Sequence, residues 1–290
     1  MSRALKPTTD LANRIARVYP SLSNGHRKAA DFVLQNPLDT ATMTIEGLAA
    51  KSGTSTATVT RFVRALGYRS YGDFRVSLSA ALKFAMAPVE SFAGARAVAG
   101  SVFSTMTIAL KDEAANLDDA LSMMDEETVN RAVAALLKAR RIFIVGSGAS
   151  HHIAAFLEDG LALYLEADVV FAASRGGPER AIRHMLSASP DDLVVAISMP
   201  RYSRTTLDLG NFARKRGAPL LAITDAPSSP LAAIADMTLF APARNRFLPN
   251  SPTAAFAVAD ALITTLARER PDAVEALQSL SESLLWTFHH

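Results

Sequence analysis

Two short segments hold residue types suited to gripping an anion. The first is GSGAS, Gly146 to Ser150, lying between the apolar run IFIV and the helix-like HHIAAFL. Glycines let the chain turn tightly and approach a ligand with its backbone, while hydroxyls and amide groups at a helix start donate hydrogen bonds to negative charge. The second is SMPRYS, residues 198 to 203, which follows the run LVVAI and offers Ser198, Arg201 and Ser203. The candidate ligand set is therefore Gly146, Ser147, Gly148, Ser150, Ser198, Arg201 and Ser203. A dinucleotide is a poor fit: the fingerprint G-x-G-x-x-G needs glycine where His151 stands, and no acidic residue ends the following run DVVFAAS. No cofactor is expected.

A third set has a different chemistry. In TIEGLAAKSGTSTATVTRFVRALG, residues 44 to 67, Ala49 suits a close helix crossing and Gly53 a left-handed turn, with Val59 and Phe62 facing inward. Ser55 is a natural N-cap and Gly67 a natural stop. That assignment turns Thr56, Ala57, Thr60, Arg61 and Arg64 outward, as on a recognition helix that enters a major groove. Short side chains at its N-terminus approach base edges, and the two arginines reach guanine or phosphate. The DNA-contacting set is thus Ser55, Thr56, Ala57, Thr60, Arg61 and Arg64. Tyr68, Tyr71 and Phe74 are read as packing a following helix rather than stacking bases.

The elements that must position these groups follow from periodicity. The first 82 residues show helical spacing throughout, with Leu11, Ile15 and Val18, then Ala29, Phe32 and Val33, then Ile45, Leu48 and Ala49 on inner faces. Residues 83–124 stay helical as a linker, with Pro88 and Gly94 loosening its entry. Beyond Arg141, the runs 142–146, 168–173, 193–198, 219–224 and 237–241 alternate with helix-length segments, as strands of a parallel sheet covered on both faces do. The fold class is α + α/β: an all-helical helix-turn-helix domain over 1–82, the linker, a doubly wound five-stranded parallel-sheet domain over 125–270, and an amphipathic helix over 271–290. The apolar helix FAVADALITTLA, 256–267, and the tail residues Leu277, Leu280, Leu284 and Trp286 exceed what one small sheet covers, and predict a homodimer or homotetramer.

Charge separates the two halves. Residues 1–84 hold 12 Lys+Arg against 5 Asp+Glu, and the remainder 18 against 23. A basic small domain points to double-stranded DNA as partner. No apolar run approaches the roughly 18 to 20 residues of a membrane span, and no signal-type segment opens the chain, so a cytoplasmic protein without membrane contact is expected. With no cysteine, disulfides and thiolate metal sites are excluded.

The combination resembles the RpiR-type transcriptional regulators, in which a helix-turn-helix domain precedes a sugar isomerase (SIS) domain. SLSNGHRKAADFVLQNP and residues 43–75 resemble the first domain, GSGAS the first phosphosugar loop, and AITDAPSSPLAAIAD a later SIS segment. The resemblance implies a DNA-binding regulator controlled by a small anionic, phosphosugar-like effector. Family members carry S-x-S-G-x-T after the third strand. Laid on SMPRYS without a gap, that pattern keeps Ser198, meets Pro200 and Ser203, and puts Arg201 where the family has glycine; a gapped register would use Thr205 or Thr206 instead. Proline removes a backbone donor. Arg201 either takes the anion with its own fork, folds outward and leaves a weakened site, or belongs to a solvated loop. The alternative is an SIS-type isomerase bearing a DNA-binding head, whose general base would come from His151, His152 or Glu179.

Overall fold

The computed structural model describes residues 10–98, 100–173 and 176–285. The chain divides after Glu90 into two compact units. In the first, helices α1 (Asp10–Val18), α2 (Asn24–Gln35), α3 (Pro37–Thr42), α4 (Ile45–Lys51) and α5 (Thr56–Ala65) surround one core. Ile15, Ala29, Val33, Leu48, Val59, Phe62 and Phe74 are buried there, at the positions that helical spacing assigns inward. Tyr68 and Tyr71 pack edge-on and tilted against Phe74, and the Tyr71 hydroxyl donates to the Met43 carbonyl at 3.1 Å. These aromatics are therefore committed to packing, as expected.

Helix α6 (Tyr71–Val98) runs on through Pro88 and Gly94, where a loosened entry was expected. An interior proline forfeits its own hydrogen bond and glycine adds about 1 kcal/mol of propensity cost, but the alanine-rich sequence around both favours helix.

The second unit opens with α7 (Val102–Ser122) and α8 (Glu126–Lys138), then builds the sheet: β1 (Arg141–Gly146), α9 (Ser150–Tyr164), β2 (Asp168–Phe171), α10 (Gly177–Met185), β3 (Leu193–Ser198), α11 (Arg204–Lys215), β4 (Leu220–Thr224), β5 (Met237–Phe240), α12 (Thr253–Glu269) and α13 (Ala273–Leu284). The five strands are all parallel in the order β2-β1-β3-β4-β5. This is the doubly wound arrangement expected, and every residue of β3 and β4 is buried because helices cover both faces. One core lies under α7, α8, α9 and α12, the other under α10 and α11. At the sheet's N-terminal edge the Asp192 carboxylate is enclosed by Arg140, Arg141 and Ser189, at 2.9 to 3.1 Å. Burial pushes that carboxyl upward, and the hydrogen bonds from Arg141, Ser189 and Arg140 outweigh it and hold it below the usual carboxylate range.

One expectation about surplus apolar surface needs correction. Helix α12 buries Ala254, Ala255, Val258, Ala259, Leu262, Ile263 and Leu266 against its own protomer, mainly α9 and α7, so it has no apolar face to spare. Leu277, Leu280 and Leu284 of α13, expected to pack on the body or on a second subunit, are more than one-third exposed in the single chain, and Trp286 lies outside the described residues.

Candidate functional site

Helices α4 and α5 form the helix-turn-helix. The turn between them needs a residue in the left-handed region, and Gly53 (φ 63°) supplies it without the strain a side chain would bring. Ser55 caps α5, its hydroxyl accepting from the Thr58 N–H at 3.2 Å. Ser55, Thr56, Ala57, Arg61 and Arg64 are exposed, and the last three recur at helical spacing along one outward stripe. Thr60 is only half-exposed, and its hydroxyl donates to the Thr56 carbonyl at 2.9 Å. A threonine side chain that bends back on its own helix is less available to a base than the outward assignment supposed.

In the second unit the strand order reverses between β1 and β3, and at such a switch point the loops on the two sides diverge and leave a crevice. Gly146 at the end of β1 lies in register with Ile197, so the GSGAS and SMPRYS loops emerge side by side. Gly146 is required by closeness: a Cβ there would stand 2.7 Å from the Ser150 carbonyl oxygen, which is fixed backbone. Ser147 is half-buried, Gly148 exposed, and Ser150 buried as the first residue of α9.

The second loop is held by its own hydroxyls. The Ser203 N–H donates to the Ser198 hydroxyl at 3.2 Å, and the Ser203 hydroxyl caps α11 by accepting from the Thr206 N–H at 3.3 Å. Arg201 is exposed and has φ 64°, the only left-handed non-glycine residue among those described. It thus stands in the backbone conformation that glycine adopts freely, at the place where the ungapped register puts the family's glycine. Thr206, on the first turn of α11, is fully buried, and its Oγ1 has no hydrogen-bond partner among the described residues. A buried hydroxyl left this way costs about 1 to 3 kcal/mol unless something satisfies it.

Beside this loop lies a cavity of about 570 Å³. Its walls come from Pro200, the β4 end (Asp225, Ala226), the segment after β5 (Pro242 to Asn245, Pro249) and the C-terminal part of α7 (Asp119, Ser122, Met123). None of the seven residues chosen as ligand contacts lines it, although Pro200 belongs to the same loop. Asp225 accepts from the Tyr202 hydroxyl at 2.9 Å; burial first, then that bond and the charge on Asp225, push the phenol up to about 12. Tyr202 therefore stays a donor at neutral pH. Asn250 donates to the Pro200 carbonyl at 3.0 Å, and Asn116, fully buried on α7, exchanges two hydrogen bonds with the backbone of Arg244 at 2.8 and 3.1 Å. An Arg244–Asp119 ion pair closes the same side.

Asp225 ends an apolar strand-like run and Arg244 and Asn245 follow another, so strand ends were the signal that sequence reasoning passed over. The groups weighed as a general base do not converge. His151 and His152 sit edge to face, 5.5 Å apart, with His151 4.8 Å from the Phe171 ring, whereas Glu179 is exposed and pairs with Arg183 on the surface of α10. Among the described residues no cluster of three or more His, Asp or Glu is placed to hold a metal, and no helix is long and apolar enough to cross a membrane.

Comparison with known proteins adds to this geometry. The model of the rpiR-family helix-turn-helix domain matches residues 9–84, and that of the SIS domain residues 135–265. The HTH-type transcriptional regulator HexR of Pseudomonas aeruginosa is 31% identical over 242 residues, covering 80% of this chain and 79% of that protein. HexR of Escherichia coli is 27% identical over 236 residues, covering 79% and 77%. Among solved structures, the sugar isomerase domain of an RpiR transcription factor from Sphaerobacter thermophilus aligns with TM-score 0.56 and 31% identity, over 61% of this chain and 97% of that one. The Vibrio vulnificus NanR protein, complexed with ManNAc-6P, aligns with TM-score 0.58 and 24% identity over 97% and 99%.

Proposed function

The chain belongs to the RpiR family of helix-turn-helix transcriptional regulators, and from that premise we propose that its SIS domain holds a small anionic effector and thereby controls binding to an operator. It is a DNA-binding regulator with a helix-turn-helix and an SIS domain, not an isomerase. The effector part is our own reading. What carries it is Thr206: a fully buried hydroxyl with no hydrogen-bond partner among the described residues, on the first turn of the 12-residue helix that follows the SMPRYS loop.

On this reading Ser147, Gly148 and Ser150 supply donors from one loop, and Ser198, Ser203 and Thr206 hydroxyls from the other. Arg201, freed from any packing role by its exposure, swings in to supply the charge that replaces the donor Pro200 lacks. The cavity alongside, walled by Asp225, Ser122 and Asn245, takes the uncharged remainder of the ligand, for which carboxylate and amide oxygens are apt acceptors of hydroxyl hydrogen bonds. The complex of the NanR protein with ManNAc-6P makes phosphosugars the first class to try. Ser55, Thr56, Ala57, Thr60, Arg61 and Arg64 face DNA, the regulator acts in the cytoplasm where its operator is, and it acts as a dimer because twofold operators are read by twofold proteins.

The experiment is a thermal-shift panel of phosphorylated and carboxylated sugars on the full chain, with isomer formation followed in parallel. A ligand that stabilises the protein without being turned over supports the proposal. No stabilisation by any anion, or catalytic isomerisation, overturns it.

A further inference from the structure

The turn that carries Arg201 is anchored at both ends. Ser198 and Met199 are buried before it, and after it the Tyr202 hydroxyl donates to Asp225 while the Ser203 N–H donates to the Ser198 hydroxyl. Between these anchors the Pro200–Arg201 peptide is the unit that can turn over without moving its neighbours' side chains. Proline permits both settings, because its ring fixes φ and leaves ψ free, and type I and type II turns both accept it at their first central position. A flip would carry Arg201 from φ 64° to an ordinary negative φ. Left to itself the peptide should flip, since an L-residue is disfavoured in the left-handed region.

One contact opposes the flip. The Asn250 side-chain amide donates to the Pro200 carbonyl at 3.0 Å. Asn250 can hold that carbonyl because its own segment is fixed. The Ser251 N–H donates to the Ala243 carbonyl at 3.0 Å and closes the segment into a loop, inside which the Asn245 side chain accepts from the N–H groups of Phe247 and Leu248 at 2.9 and 2.7 Å. Helix α7 then clamps the loop from four positions. Asp112 pairs with Arg246 at 2.9 Å, Glu113 accepts from the Ser251 hydroxyl, Asn116 holds the Arg244 backbone and Asp119 its guanidinium.

The direction of the held carbonyl decides what the loop offers a ligand. The GSGAS loop follows β1, on one side of β3, whereas Asn250 belongs to the segment after β5, on the other side. Among the described residues no peptide bond is cis, so the N–H and carbonyl of the Pro200–Arg201 unit point opposite ways. With the carbonyl turned to Asn250, the Arg201 N–H is turned to the GSGAS side, and it has no acceptor among the described residues. A flip would exchange the two and aim a carbonyl oxygen at an anion in the crevice. We infer that Asn250 is a positioning residue of the effector site: it holds the Pro200–Arg201 peptide with its N–H toward the anion, against the relaxation open to Arg201. This rests on the anion reading above and adds to it the residue that sets the loop's binding form. It also gives the chain a glycine-like turn without glycine.

Crystal structures of the full-length wild type, of Asn250→Ala and of Asn250→Asp, whose carboxylate cannot donate, read the turn directly and without ligand. Arg201 is expected at positive φ in the wild type and at negative φ in both variants; a left-handed Arg201 in both variants overturns the proposal. Calorimetry with inorganic phosphate and with glucose 6-phosphate supplies the second reading. Asn250→Ala should weaken binding roughly fivefold to thirtyfold both in the wild type and in Arg201→Ala, the share of the left-handed form that an L-residue loses when nothing holds it. In Arg201→Gly the same change should cost only about twofold, because glycine takes either sign of φ about equally. Damage to the loop unrelated to its φ would weaken the alanine and glycine backgrounds alike, so equal losses overturn the proposal. A wild type that binds neither probe overturns the effector reading instead, and the crystal structures still decide the role of Asn250.

Discussion

Arg201 holds a left-handed backbone on a β-carbon-bearing residue, and that separates two effects which mutation usually confounds. Replacing it by alanine removes the guanidinium and keeps the conformational cost, because alanine also has a Cβ. Replacing it by glycine removes both. An L-residue pays about 1 to 2 kcal/mol in the left-handed region. Glycine returns about 0.5 to 1 kcal/mol of that through the entropy of its unfolded chain. The net expectation for Arg201→Gly is therefore a ligand-free gain of about 0.5 to 1 kcal/mol over Arg201→Ala, read by urea unfolding of the SIS transition. If the guanidinium grips the effector, both variants lose about 1.5 to 3 kcal/mol of binding, the scale of a hydrogen bond to charge, or roughly tenfold to a hundredfold in Kd by calorimetry. Equal stability of the alanine and glycine variants would refute the strain argument. Wild-type effector affinity in either would refute the role given to Arg201.

Arg61→Ala should cost about 1 to 3 kcal/mol in operator affinity by fluorescence anisotropy if Arg61 grips a guanine, and log K should fall with log[salt] by about 0.9 per phosphate neutralised. Asp192→Asn leaves Arg140 and Arg141 without their shared carboxylate and should destabilise the SIS domain by about 2 to 4 kcal/mol in denaturant titration. Because the folded state holds the Asp192 carboxyl below its ordinary value, its contribution is present above about pH 4 and fades as pH falls further; an acid unfolding midpoint that is the same in Asp192→Asn would contradict this. For Tyr202 the sign is opposite: its phenol is pushed up to about 12, so the stability it adds is complete below about pH 10 and is lost as pH rises through 12, a loss that Tyr202→Phe should abolish in alkaline unfolding.

The sheet and the helix-turn-helix were legible for the same reason: short range suffices to specify them. Five buried runs with turn residues between them admit few structures other than a parallel sheet, and Gly53, Ser55 and Gly67 each hold the backbone role their chemistry implies. The loop conformation was not foreseen: Arg201 holds a glycine-like φ at the position where the ungapped register puts the family's glycine. What could not be read was anything set by contact across long sequence separation. Asn116 meets the backbone of Arg244, 128 residues on, and no local pattern announces it. The same holds for the cavity, assembled from four separate stretches. The apolar excess was assigned to α12 together with the tail leucines, and the α12 share was misplaced because hydrophobic count cannot distinguish a helix buried in its own protomer from one that faces a partner; that distinction belongs to packing against α9 and α7.

The claim on which the rest depends is that one protein couples anion binding in the SIS domain to DNA binding at α5, and coupling is reciprocal. The most direct measurement is the affinity of the full-length protein for a DNA fragment it has itself selected from genomic DNA, titrated by anisotropy with the anion that gives the largest thermal shift. At 100 times its Kd that anion should stabilise the protein by about 2.7 kcal/mol and change DNA affinity at least about tenfold, whereas Arg201→Ala should keep wild-type DNA affinity without the anion and need roughly tenfold to a hundredfold more of it for the same response. An anion that binds equally tightly to the free and the DNA-bound protein, leaving operator affinity unchanged, would contradict the account.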